Sequence, residues 1–393
     1  MASTADQPGT LDAEAIATLA LRLIHEPSLS CQEQNVARIV AEEMAQLGLT
    51  VEVDDLGNVI GTLDAGPGPC ILLDSHMDTV GINDPAAWTH DPAGQRVGGR
   101  LYGRGAMDMK GPLAACIHGV ASLRGRLARG KAVVSATIAE ELVEGPATVH
   151  VAERVRPDFA VTCEASSLQL ARGQRGRAEL RLDVYGRATH SSRPELGVNA
   201  AQAMVDAVQA LRALRPPHHD VLGDGILVLT DIMSEPYPGL SVVPDHCVAT
   251  FDRRTLPGET SESVLAPVRR AVEDALRDSG ARGRVSIAED DFTAYTGARV
   301  TAPNFAAAWF LPEEDRMVQQ ALQALAAAGI APRLTHYAFC TNGSGTAGRL
   351  GIPTIGFGPG DERLAHRADE YIDVADLLAG ARGYAALVQH LVS

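Results

Sequence analysis

The stretch Cys70-Ile-Leu-Leu-Asp-Ser-His-Met-Asp-Thr-Val80 reads as an apolar strand that ends by presenting an imidazole and a carboxylate. Residues two apart on a strand share a face, so His76 and Asp78 leave the sheet side by side. Histidine nitrogen is a zinc ligand, and a carboxylate commonly holds the other ring nitrogen. A solvated strand end also explains such a pair, so the rest of the chain decides its meaning.

Around this strand the hydrophobic periodicity alternates. Helical spacing covers residues 11–25 and 32–47, and short strand-like runs follow at 50–53, 59–63 and 70–73. A helix at 111–123 precedes a strand at 132–138, and a helix at 147–154 precedes a strand at 159–162. Strands alternating with helices predict an α/β/α sandwich with a largely parallel sheet. The rhythm then changes to strand 177–185, helix 199–214, strands 226–232 and 242–253, helix 261–276 and strand 284–288. That β-α-β-β-α-β order is ferredoxin-like. The α/β pattern resumes with helix 313–328, strand 354–357 and helix 374–391. The expected organisation is a catalytic domain at 1–175 and 292–393, interrupted by a small α+β domain at 176–291. A chain of 393 residues fits two domains better than one core.

The formal net charge of −15 argues against nucleic acid or an anionic membrane as the main partner. Cys31, Cys70, Cys116, Cys163, Cys247 and Cys340 are scattered, without a Cys-x-x-Cys pair. Reduced, mostly buried thiols are the expectation. The opening Met1-Ala-Ser-Thr-Ala-Asp-Gln-Pro8 shows neither a basic nor an apolar leader pattern. A cytoplasmic enzyme follows as the expected setting. The loop Pro216-Pro-His-His-Asp220 reads as a surface turn.

Several acids and imidazoles fall at the ends of the first domain's strands. After His76 and Asp78 come Asp108, in the loop Gly103-Arg-Gly-Ala-Met-Asp-Met-Lys-Gly111, then Glu140 and Glu141, then Glu164. His366 follows the turn Gly356-Phe-Gly-Pro-Gly360. Strands of a parallel sheet end on one edge, where such groups converge. Singly, each has a bland explanation: a turn former, a helix start, a surface histidine. Together they occupy equivalent topological positions. The glycine loop lacks the spacing of a phosphate cradle.

These motifs, with Gly186-Arg-Ala-Thr-His-Ser191, resemble the M20 family of dinuclear zinc amidohydrolases over nearly the whole chain. That family includes acetylornithine deacetylase, succinyl-diaminopimelate desuccinylase, carboxypeptidase G and aminoacylase. Cys340-Thr-Asn-Gly-Ser344 and Gly356-Phe-Gly-Pro-Gly-Asp361 look most like a branch labelled selenium-metabolism hydrolases. The resemblance implies a zinc-peptidase-like catalytic sandwich with an inserted lid or dimerisation domain, a homodimer and two divalent metals. Zinc is the expected metal, with cobalt or manganese able to substitute. Asp108 would bridge the metals, His76 and Glu164 would complete one, and Glu141 and His366 the other. Asp78 would orient His76, and Glu140 would be the general base. The peptide after Asp108 is often cis in the family. Two divalent ions against Asp108, Glu141 and Glu164 leave one positive charge, which a bridging hydroxide would cancel; metals bring bound water to a pKa of ~7.

His190 matches the histidine that stabilises the oxyanion, in relatives across a dimer. Arg254 matches an arginine that grips substrate carboxylates, and Asn342 lies in the loop near that site. Two departures qualify the pocket: Ser241 stands where relatives often carry Asn, and Asn342-Gly-Ser-Gly-Thr346 replaces a Gly-Gly-Thr-Asp type loop. The implied reaction is hydrolysis of an amide in a small N-acyl amino acid or a dipeptide. The alternatives are a ureido or carbamoyl amino acid substrate, or a retired metal-binding scaffold.

Overall fold

The computed structural model describes residues 10–392, so the opening read for leader patterns lies outside the described residues. The chain forms two compact units. The first holds the residues up to Gln174 with Asp291–Val300 and those from Phe310 on; the second holds Arg175–Asp290 and Thr301–Trp309.

The first unit is built on strands β1 (Thr50–Val53), β2 (Val59–Asp64), β3 (Cys70–His76), β4 (Lys131–Thr137), β5 (Phe159–Thr162), β6 (Leu170–Gln174), β7 (Leu334–Tyr337) and β8 (Thr354–Gly356). They lie in the order β1-β2-β4-β3-β5-β8-β6, with β7 beside β6. The centre, β4-β3-β5-β8, is parallel, as the alternation with helices requires. The flanks are mixed: β1, β2 and β4 pair antiparallel, and so do β8 and β6. The sheet is therefore less parallel than the sequence rhythm suggests, because the tight β1–β2 connection permits a hairpin.

All seven residues of β3 are buried. Ile71 and Leu73 enter the large core with helices Ala13–Ile24, Gly111–Ala121, Arg316–Ala327 and Val374–Val392. Leu72 faces the other way, packing with Val133, Val151 and Ala152 under helix Pro146–Val155. Period-two alternation thus splits one strand between two apolar layers and makes an α/β/α sandwich. Truncating Leu72 to Ala would cost about 2–5 kcal/mol.

The second unit has a five-stranded antiparallel sheet: four strands in the order Ile226–Glu235, His246–Thr255, Gly176–Tyr185, Arg282–Ile287, with the short Phe305–Ala306 also beside Gly176–Tyr185. Helices Ala200–Arg212 and Ser261–Leu276 pack on one face, the ferredoxin-like arrangement. The run 242–253 is not one strand. Val242–Val243 pairs with Thr189–His190, and a new strand starts at His246. Pro244 has no N–H for a ladder and marks the break. Thr301–Trp309 belongs here because Phe305 and Ala306 pair with Ala178 and Arg177. No helix among the described residues is long and apolar enough to cross a membrane.

Candidate metal centre

Register sets the site. His76 is level with Thr137, and Asp74 with Thr162, so β3, β4 and β5 end together. Asp78, the Glu140–Glu141 turn and Glu164 follow at that edge. The turn after β8 crosses the end of β5 so closely that a Cβ on Gly358 would collide with the main-chain oxygens of Cys163 and Glu164. Only glycine passes there. Beyond it His366, with φ of 60°, enters the cluster.

Asp108 is held by the loop before helix Gly111–Ala121, and its peptide bond to Met109 is cis. The fully buried Glu370 accepts the N–H groups of Met107 at 2.9 Å and Asp108 at 3.1 Å, and pairs with buried Arg104 at 2.5 Å. Sequence reading missed Glu370; its signal was an acid four residues beyond His366.

The side chains converge. Asp108 Oδ1 lies 3.1 Å from His76 Nε2, and Asp108 Oδ2 lies 3.3 Å from His366 Nε2. Glu164 Oε1 is 3.5 Å and Glu140 Oε2 3.9 Å from His76 Nε2; Glu141 Oε2 is 3.0 Å from His366 Nε2. His76, Asp78, Glu140 and Glu164 are buried, while His366 is half-exposed at the mouth. The Asp78 carbonyl, 2.9 Å from His76 Nδ1, takes that ring hydrogen and leaves Nε2 for the cluster. The Asp78 carboxylate is farther from the ring, at 3.4 Å, and accepts instead from the N–H groups of Glu140 and Glu141, both at 3.1 Å.

Charge in this cluster is unbalanced without cations. Burial raises Glu140 and Glu141 above the ordinary carboxylate range and pushes Glu164 up to about 8. Burial resists charging His76, but Glu140, Asp108, Asp78 and Glu164 together raise it. Asp108 and Glu141 push His366 up to about 10, and the two imidazoles hold Asp108 low against its burial. Packed carboxylates that drive imidazoles to protonate are a donor set suited to metal ions. His76 with Glu140 and Glu164, and His76 with Asp108 and Glu141, each place three ligand atoms within 4.8 Å of one another. Imidazole with carboxylate oxygen suits zinc, and also other first-row divalent ions.

The remaining candidates have partners of their own. Asn342 is buried and spent: Nδ2 donates to Asp74 Oδ2 at 2.9 Å and Thr137 Oγ1 at 3.0 Å, and Oδ1 accepts from Gly145 N at 2.8 Å. It ties its loop to β3 and β4 and leaves no donor for a substrate. Asp74, the charged residue inside an apolar strand, was the overlooked signal of this network; it also accepts from Ser135 at 2.5 Å and Thr148 at 3.0 Å. In the second unit Arg254 pairs with Asp252 at 2.8 Å. His190 is exposed, and its Nδ1 accepts the Ser192 N–H at 3.1 Å, which leaves the proton on Nε2. In the 216–220 loop His218 pairs with Asp224 at 2.7 Å, and the loop lies in a two-stranded turn.

Sequence and fold both match known proteins. Residues 72–390 match the model of peptidase family M20/M25/M40. The chain is 34% identical to the uncharacterized protein YgeY of Escherichia coli (strain K12), over 96% of this chain and 94% of that one. It is 28% identical to acetylornithine deacetylase of Proteus mirabilis (strain HI4320), over 90% and 91%. The YXEP protein of Bacillus subtilis, a dinuclear metal-binding peptidase from the M20 family, shares the fold at a TM-score of 0.71 and 15% identity, covering 97% of this chain and 98% of that one. Fold, site and sequence define an amide-bond hydrolase. The chain belongs to peptidase family M20/M25/M40.

Proposed function

We propose that this chain hydrolyses the amide of a small N-acyl amino acid or a dipeptide bearing a free carboxylate. The observation that carries the reading is Asp108, whose two carboxylate oxygens face two different imidazoles at 3.1 and 3.3 Å. A carboxylate so placed serves two cations at once. His76 and Glu164 would complete one metal position, and Glu141 and His366 the other. Zinc is the proposed metal; bound there, it would polarise the amide carbonyl and make water a nucleophile near neutral pH.

The chain's own residues do the rest. Among the described residues, the Glu140 carboxylate takes no hydrogen bond, which leaves its oxygens open to accept a proton, and burial raises it above its ordinary value. Glu140 would take the proton from water and deliver it to the leaving amine. His190, with its Nε2 proton free of internal partners, would donate to the oxyanion of the tetrahedral intermediate. Arg254 would hold the substrate carboxylate only by exchanging its Asp252 partner, so its contribution rests on that exchange. Asn342 is withdrawn from substrate binding.

The second unit is proposed as the lid and dimerisation domain of a homodimer. Its edge strand Ile226–Glu235 leaves Val228, Ile232 and Met233 about half-exposed, a surface that a second copy would cover. All six cysteines are free thiols, which supports a reducing, cytoplasmic setting.

The test is amine release from N-acyl amino acids, dipeptides and ureido acids, alongside metal content. About two metals per chain with release from acyl amino acids or dipeptides supports the proposal. Release from ureido acids alone would assign the carbamoyl reaction instead. Bound metal with no release from any class would point to a retired scaffold.

A further inference from the structure

In the turn that carries Glu140 the Ala139 carbonyl accepts from Leu142 N at 3.3 Å and Val143 N at 3.0 Å, but the leading N–H groups are held by side chains. After β4 ends at Thr137, four successive N–H groups find side-chain oxygens. Ile138 N donates to Asn58 Oδ1 at 3.0 Å, and Ala139 N to Glu33 Oε1 at 3.0 Å. Glu140 N and Glu141 N donate to the two oxygens of Asp78, each at 3.1 Å. Asn58, Glu33 and Asp78 are all fully buried. Side-chain capture of this run of amides adds to those backbone bonds in fixing the turn.

Glu33 holds the least comfortable point of this turn. Ala139 has φ of 54°, in the left-handed region that residues with a Cβ seldom adopt. The same Oε1 accepts from Cys31 N at 2.9 Å, and Cys31 too has a positive φ, 69°. One buried carboxylate oxygen therefore pins two left-handed residues, one from each loop. Oε2 has no partner. Burial, with the nearby Asp78 charge, pushes Glu33 up to about 7, so an acid is costly at this position.

We propose that Glu33 is a positioning residue for the base: it fixes the left-handed bend at Ala139 that turns the Glu140 carboxylate into the metal cluster. The inference rests on Glu140 being the base, but the bend is testable without turnover. Glutamine at 33 keeps an oxygen for both N–H groups; alanine does not.

Hydrogen–deuterium exchange of the full chain, as wild type, Glu33→Ala and Glu33→Gln, reads the bend directly. Glu33→Ala is expected to speed exchange over residues 138–141 at least about tenfold while β4 keeps its protection, and Glu33→Gln to exchange as wild type. With a substrate that the release assay identifies, Glu33→Ala should lower kcat by about 10–100-fold at unchanged KM, and Glu33→Gln should restore most of it. Unchanged exchange at 138–141 in Glu33→Ala overturns the proposal, as does a rise in KM alone. If Glu33→Ala does not fold, Glu33→Gln decides: wild-type protection at Ala139 supports the role, and fast local exchange refutes it. Should no substrate be hydrolysed, the exchange result stands by itself and the hydrolase reading alone fails.

Discussion

His76 donates its Nδ1 hydrogen to the main-chain oxygen of Asp78, 2.9 Å away, rather than chiefly to the Asp78 carboxylate at 3.4 Å. A carbonyl can only accept, so the tautomer is fixed by backbone that no substitution at position 78 deletes. The carboxylate is thereby released to grip the two N–H groups of the Glu140–Glu141 turn.

Asp78→Asn should therefore leave His76 oriented but loosen the glutamate pair. The amide has one acceptor oxygen where two are in use. Metal affinity or kcat is expected to fall about 10–100-fold, while saturating zinc still fills the site. Zinc titration with a competing chelator measures this; loss of all metal binding would contradict it.

Glu140→Gln keeps the size and burial of the side chain but cannot accept a proton. Turnover is expected to drop by about 10²–10⁴-fold with metal content unchanged. A variant that retained wild-type kcat would remove Glu140 from the chemistry.

Metal binding should release protons. In the metal-free chain His366 is raised to about 10 by Asp108 and Glu141, and Glu164 to about 8 by burial. Both must deprotonate to bind a cation, so affinity rises with pH below those values. The sign for folding is consistent: groups with raised folded pKa values stabilise the metal-free chain at low pH, and that contribution is lost as pH rises from 4.5 to about 8 for Glu164 and from 6.5 to about 10 for His366. The thermal shift on adding zinc should accordingly grow from about pH 6 to about pH 9. Calorimetry in buffers of different protonation enthalpy would show the released protons; none at pH 7 would count against the ligand set.

Much of this site is legible in the sequence because its residues sit at topologically equivalent strand ends. His76 ends β3, Glu140 and Glu164 follow β4 and β5, and a parallel centre brings such positions together regardless of detail. The supporting carboxylates are harder to read. Glu33 and Glu370 act on backbone N–H groups more than a hundred residues away in the chain, and no local spacing encodes such a partner. The flanking strands escaped the parallel expectation because periodicity reports burial, not direction. Strand Ile226–Glu235 runs three residues past the 226–232 that periodicity marks, because an exposed edge strand carries little apolar contrast at its end.

The edge strand Ile226–Glu235 should be the seam of a dimer. Lysine at both Val228 and Ile232 is expected to give a monomer by light scattering, since charge on an edge opposes pairing. Mixing inactive His190→Ala with inactive Glu140→Gln then tests sharing. If His190 serves the partner's centre, hybrid dimers hold one complete site and the mixture recovers about a quarter of wild-type activity. No recovery from verified hybrids would confine His190 to its own chain.

Asn342→Ala should damage the fold rather than substrate affinity. Its amide holds Asp74, Thr137 and the Gly145 backbone together, all buried. One of those bonds goes to a carboxylate that burial already pushes up to about 6. Removing the donor leaves Asp74 with Ser135 and Thr148 alone, and a lost hydrogen bond to a charged group costs about 1.5–3 kcal/mol. The orphaned Gly145 N–H adds to that. Asn342→Asp should be no better, because it sets a second carboxylate 2.9 Å from the first. Both variants are expected to unfold at lower denaturant while KM stays within about twofold of wild type. A normal unfolding midpoint with a KM raised tenfold would return Asn342 to the substrate pocket.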